Sequence, residues 1–107
     1  MPLFICFCPD YPNSLSKRLS VREEHLALGR KDREAGTTVF GRAFIDPDTR
    51  DMAGSTLLYR YPSIEEAWRR IKADPYWTSG VWDQGKVEVK ELPGMEGDDH
   101  LRVAKDL

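Results

Sequence analysis

Hydrophobic and polar positions change period along this chain, and the changes mark its elements. Leu3 to Cys8 is apolar on both alternating sets, Leu3, Ile5 and Phe7 against Phe4, Cys6 and Cys8, so it reads as a strand with both faces to be covered. Pro9-Asp10-Tyr11-Pro12-Asn13 is a turn cluster, and a helical segment then runs to Ala35, where Gly36 offers a left-handed stop. Ser14 or Ser20 can cap it; Ser20 with Glu23 makes the better capping box and would leave Arg18 in the preceding loop. A stripe of Leu15, Leu19 and Leu26 is expected to hold this helix against a core. Arg18, Arg22 and His25, at four-then-three spacing, form a neighbouring stripe free to line a cavity.

Thr37 to Ile45, rich in β-branched and aromatic residues, reads as a second strand, and Gly54 to Tyr61 as a third, joined by a polar connector short enough for a hairpin. Ser63-Ile64-Glu65-Glu66 is a capping box, after which Ile64, Ala67, Trp68 and Ile71 recur down one helical face. Pro75 to Gly80 allows one further turn, and Lys86 to Leu92 alternates like an edge strand. From Pro93 to Leu107 the composition turns to Gly, Asp and scattered charge, with only Leu101 and Val103 as anchors, which predicts a mobile or docking tail. The expected layout is one domain over residues 1–92 and a polar tail over 93–107.

Strand, helix, strand, strand, helix, strand is the split βαβ order of an α+β, ferredoxin-like domain with a four-stranded antiparallel sheet. Two helices cover one face of such a sheet. A first strand apolar on both sides therefore calls for a second layer on the open face, and the simplest supplier is an identical chain, giving a homodimer of the dimeric α+β barrel type.

Composition narrows the function classes. Across 107 residues, 16 Lys and Arg against 18 Asp and Glu leave a net charge of -2 with no basic block, which argues against nucleic acid as partner. No apolar run approaches a bilayer span, and the first residues read as a strand, not a leader, so a cytoplasmic, membrane-free protein is expected. Cys6 and Cys8 share a strand face and are expected as buried free thiols. Two histidines with no clustered Cys-His spacing argue against a transition-metal site, and Asp46, Asp48 and Asp51 lack the Gly and distal Glu of a calcium loop. No phosphate loop, nucleophile elbow or dinucleotide fingerprint occurs, so no cofactor is expected.

Ser14-Leu15 leading into Lys17-Arg18-Leu19-Ser20-Val21-Arg22, then His25-Leu26-Ala27, Gly54-Ser55, and Ala73-Asp74-Pro75-Tyr76 with Gly80 following together resemble the YCII-related (YciI-like) family over about Leu3 to Leu92. That resemblance implies a ferredoxin-like dimer of the α+β barrel type and an active-site pair matching His25 and Asp74. Where the family often has a Pro between the Arg and the His, this chain has Glu23-Glu24, which is more compatible with helix and adds negative charge near His25.

On the residues alone, His25 is a general acid or base for neutral pH, and an Asp bonded to its ring would fix its tautomer; the plainer roles are a packed histidine and an Asp74 that caps the turn begun by Pro75. Arg18 and Arg22 offer planar donors for a carboxylate, enolate or phenolate, against ordinary ion pairing with Asp10, Glu23 or Glu24. Ser55 is a contact candidate for a ligand. Tyr76, Trp77 and Trp82 wall an apolar pocket or belong to the core. Two functions remain compatible with these residues: a cofactor-independent lyase or isomerase acting on a small anionic aromatic or lactone substrate, and a non-catalytic dimeric ligand-binding or accessory protein.

Overall fold

The computed structural model of the chain describes residues 1–103. The elements follow in the order β1 (Leu3–Pro9), α1 (Leu15–Glu34), β2 (Thr38–Ile45), β3 (Met52–Arg60), α2 (Ile64–Ala73), α3 (Pro75–Thr78) and β4 (Glu88–Glu91). The strands form one antiparallel sheet in the order β2-β3-β1-β4. This is the ferredoxin-like α+β fold expected from the pattern, with the doubly apolar β1 in the interior and β4 at an edge. No helix among the described residues is long and apolar enough to cross a membrane.

Alternation along β1 divides the apolar residues between two clusters. Phe4, Cys6 and Cys8 join Leu57 and Tyr59 of β3 against Ala67, Ile71, Tyr76, Val81 and Trp82 on the helical side. Leu3 joins Val39 and Leu58 on the other face, where Ile5, Phe40, Leu92 and Val103 pack against them. Both cysteines are buried free thiols. Burial pushes Cys6 up to about 12 and Cys8 higher still, so neither is a reactive thiolate.

The start of α1 differs from the favoured capping box. The helix begins after Ser14, with the Arg18 amide donating to the Ser14 carbonyl at 2.8 Å, and Ser20 lies inside it, its Oγ donating to the Lys17 carbonyl. Burial and pairing of Arg18 account for the earlier start: its guanidinium reaches Asp10 at the end of β1, a contact available only if the helix already includes residue 18. The leucine stripe is corrected for the same reason. Leu19 is 53% exposed, and Arg18 is the buried residue of α1. An arginine therefore occupies the place where an apolar side chain was expected.

α2 follows the sequence reading closely. Ser63 Oγ accepts from the Glu66 amide, and Ala67 and Ile71 are buried. Trp68 is only half-buried, packed edge-on against Trp77, whereas Trp82 is fully buried. β3 starts earlier than expected and β4 is shorter.

Residues after Pro93 include a 3-10 turn at Asp98–His100. Arg60 donates to the carbonyls of Gly36, Asp98 and Leu101, while Val103 packs on the Leu3 cluster. Of the two expected anchors, Val103 docks and Leu101 is 42% exposed. The rest of the expected tail, 104–107, lies outside the described residues.

Candidate active site

Three chain segments meet at one wall of the sheet's helical face. α1 brings His25, the junction of α2 and α3 brings Asp74, and α3 brings Tyr76. Asp74 ends α2 and caps α3, its Oδ1 accepting from the Tyr76 amide at 2.8 Å. The capping role and the pairing role assigned to this residue are thus compatible. The same carboxylate lies 2.8 and 2.9 Å from His25 Nδ1 and accepts from an Arg70 terminal nitrogen at 2.9 Å.

Asp74 is fully buried. Burial by itself raises its carboxyl, but the hydrogen bond and charge of His25, the charge of Arg70 and the Tyr76 amide outweigh it, and the group sits below the usual aspartate range. An ionised carboxylate only accepts, so Nδ1 of His25 carries a proton and Nε2 is the ring nitrogen left for chemistry. The imidazole stacks on Tyr76 with centroids 4.1 Å apart and meets the edge of Trp82 at 6.1 Å. Glu23 and Glu24 are exposed and make no hydrogen bond or ion pair with it.

Arg18 and Ser55 lie behind this pair. One terminal nitrogen of Arg18 reaches both oxygens of Asp10 at 2.9 and 3.1 Å, and the other donates to Ser55 Oγ at 2.8 Å. Ser55 Oγ also accepts from Trp82 Nε1 at 3.2 Å. The guanidinium carbon of Arg18 stands 4.4 Å from the centre of the Tyr76 ring. These contacts engage both terminal nitrogens of Arg18, while its buried Nε has no hydrogen-bond partner among the described residues: Arg18 fixes Tyr76 and the start of α1, and Ser55 fixes Arg18 and Trp82. Burial pushes Asp10 up despite the Arg18 charge beside it.

A cavity of about 440 Å³ opens between α1 and the β2–β3 part of the sheet, lined by Arg18, Arg22, His25, Tyr59, Arg70 and Tyr76 among others. Arg22 is exposed and has no ion-pair partner among the described residues. Ser55 and Trp82 do not line the cavity; Trp82 belongs to the core, and Trp77 packs on its rim against Trp68. No group of three or more His, Cys, Asp or Glu capable of holding a metal occurs among the described residues.

Arg70 was missed by the sequence reading. It is buried, donates through Nε to Asp32 of α1 and through a terminal nitrogen to Asp74, and so ties the carboxylate to α1. Its signal was the four-residue spacing Arg70-Asp74, read only as the end of an amphipathic helix.

Comparison with known proteins agrees with this architecture. The YCII-related domain matches residues 2–92. Protein YciI of Escherichia coli O6:H1 is 32% identical over 91 residues, spanning 80% of this chain and 93% of that protein. The aspercryptin biosynthesis cluster protein B of Emericella nidulans is 32% identical over 87 residues, 76% of this chain and 56% of that protein. Among solved structures, the 5-chloro-2-hydroxyhydroquinone dehydrochlorinase TftG of Burkholderia phenoliruptrix, in complex with 2,5-dihydroxybenzoquinone, superposes with a TM-score of 0.74 at 23% identity. That match covers 88% of this chain and 96% of TftG. An antibiotic biosynthesis monooxygenase shares the fold more distantly, with a TM-score of 0.53 at 15% identity, covering 89% and 99% of the two chains. On the match over residues 2–92 and the extent of the YciI likeness, the chain belongs to the YCII-related family.

Proposed function

We propose that this protein is a cofactor-independent lyase or isomerase acting on a small anionic molecule, with His25 as the group that moves the proton. The observation that carries this reading is the buried, ionised Asp74 bound to His25 Nδ1, which leaves Nε2 at the wall of a cavity beside an unpaired arginine. His25 Nε2 takes a proton from a C–H or O–H of the substrate, and the electron pair left behind forms an enolate or phenolate held by Arg22. Return of the proton at another carbon gives isomerisation; departure of a leaving group with its bonding pair gives elimination. Asp74 keeps the tautomer and stabilises the imidazolium formed in between. The fold shared with a dehydrochlorinase and the relationship to a biosynthesis cluster protein support small-molecule chemistry of this kind.

The test is turnover of chlorinated hydroxyhydroquinones and of lactone acids. His25→Asn is expected to lower kcat by about 100- to 10,000-fold with the substrate still bound, and Arg22→Gln to act mainly on KM. Binding of these compounds without turnover by the native protein would leave a ligand-binding module instead.

A homodimer is part of the same proposal. On the sheet face away from the helices, Phe7 is 46% exposed and stacks on Phe44 at 4.8 Å, with Ile45 42% exposed nearby. Sedimentation at low micromolar concentration is expected to give twice the chain mass, and Phe7→Glu to shift it to one. A native protein that sediments as a stable monomer would remove the paired-sheet arrangement.

A further inference from the structure

The cavity wall is cationic far beyond what the proton-moving pair requires. Among the described residues six arginines and His25 line it and no aspartate or glutamate does, in a chain whose formal net charge is -2. Arg18 and Arg70 are occupied by Asp10, Asp32 and Asp74. Arg42 lies on β2, in register with Thr56, and not on the α1 wall. Arg22, Arg30 and Arg33 are left, all on α1 and without an ion-pair partner among the described residues. Arg30 and Arg33 follow His25 along the helix and stand about 8 to 12 Å from it along the axis.

A second observation falls on two strand residues of the same cavity wall. Thr38 opens β2 just after the stop of α1 and pairs directly with Tyr59 of β3. Both residues line the cavity and are buried, and neither hydroxyl has a hydrogen-bond partner among the described residues. Buried hydroxyls without partners are rare because their lost hydration is not repaid. The negative end of the α1 dipole accounts for a cation at Arg33. It does not account for the two orphaned hydroxyls on residues that line the same space.

We infer that the cavity takes a dianion, with one acidic oxygen at the Arg22–His25 end and a second group, a carboxylate or phosphate, at the Arg30–Arg33 end accepting from Tyr59 Oη and Thr38 Oγ1. This names the substrate class of the proposed reaction and rests on that reading only for what happens at His25. Burial holds the Tyr59 phenol well above its ordinary range, so it stays protonated and donates. The volume of about 440 Å³ accommodates a small rigid molecule with an acidic group at each end.

Calorimetric titration with biphenyl-4-carboxylate, biphenyl-4,4′-dicarboxylate and 4′-phosphonobiphenyl-4-carboxylate tests it at fixed ionic strength. The native protein is expected to bind the dianions at least about tenfold more tightly than the monoanion. Compared at a pH where the phosphonate carries one charge, so that both probes are dianions, the better of the two identifies the second group as carboxylate or phosphate. In the double variant Arg30→Gln/Arg33→Gln the preference disappears while monoanion affinity stays within about twofold. Tyr59→Phe, which removes an unpartnered hydroxyl, is expected to weaken the dianions without lowering the melting temperature of the free protein. Equal affinity for monoanion and dianions, or equal losses for all three probes in the double variant, would overturn the inference. In His25→Asn the preference is expected to persist; its persistence alongside an absence of turnover in the native protein would sink the proposed reaction and leave the anion subsite standing.

Discussion

Replacing Trp82 with alanine is expected to cost about 3 to 5 kcal/mol of stability, the range for truncating a fully buried aromatic side chain. Trp82 has no exposed surface, lies edge-on to Tyr76 at 5.7 Å and donates to Ser55 Oγ at 3.2 Å. The vacated space borders both Tyr76 and the Ser55–Arg18 contact, so the loss should reach the cavity wall as well as the core. Denaturant melting checks this through a lowered midpoint at unchanged slope. Trp82→Phe separates the contributions, since it keeps most of the packing and gives up one hydrogen bond, about 1 kcal/mol. Trp68→Ala provides the contrast. Trp68 is half-buried, and a loss as large as that at Trp82 would mean the two tryptophans had been assigned to the wrong layers.

Asp74→Asn is the second large effect, about 3 to 5 kcal/mol at neutral pH, because it removes the shared negative charge of a buried network and leaves Asp32 as the carboxylate paired with Arg70. The pH dependence carries a sign. The folded carboxyl lies below its ordinary value of 3.8. Its contribution is therefore complete above the unfolded value and is lost as pH falls through the folded one. Native protein should lose stability on acidification below about pH 4, and the Asn variant should show a shallower acid limb. Asp10 runs the other way, since burial raises it above its ordinary value and its ionisation weakens the fold as pH rises through that interval. The difference between native and Asp74→Asn protein isolates the Asp74 part. Identical acid limbs would show that Asp74 titrates alike in folded and unfolded chains.

The fold was legible where one period dominated. The doubly apolar β1, the alternating β2 and β3, and the Ser63 capping box with its apolar stripe each allowed one solution, and the element order followed. The start of α1 was not legible from local signals, because the Ser20–Glu23 box is the stronger pattern and the winning term is a contact between Arg18 and Asp10, across a turn. The leucine stripe misled for a related reason: a buried arginine with two partners displaced it, and helix periodicity records polarity, not pairing. His25 and Asp74, 49 positions apart, were joined in advance only by family resemblance, and the structure puts them in contact at 2.8 Å. Arg33 lies three turns beyond Arg22 on nearly the same line, whereas Arg30 is turned well away from His25, so no single stripe marked the two together. Tyr59 and Thr38 carried no signal beyond strand alternation.

The sheet order has a consequence for synthesis. β1 is the first strand of this domain to be made, yet it lies between β3 and β4, so it gains its first neighbour only once residues 54–60 have followed it and its second only near residue 91. The β2–β3 hairpin is local and can form alone, whereas the pairings of β1 span about half of the domain with β3 and most of it with β4, and close slowly. Until Glu88–Glu91 arrives, Phe4, Ile5, Cys6 and Phe7 present an open apolar edge. A nascent chain stalled before β4 is therefore the form most prone to stick to its own kind, and the few residues of that short last strand act as the clasp that ends the exposure.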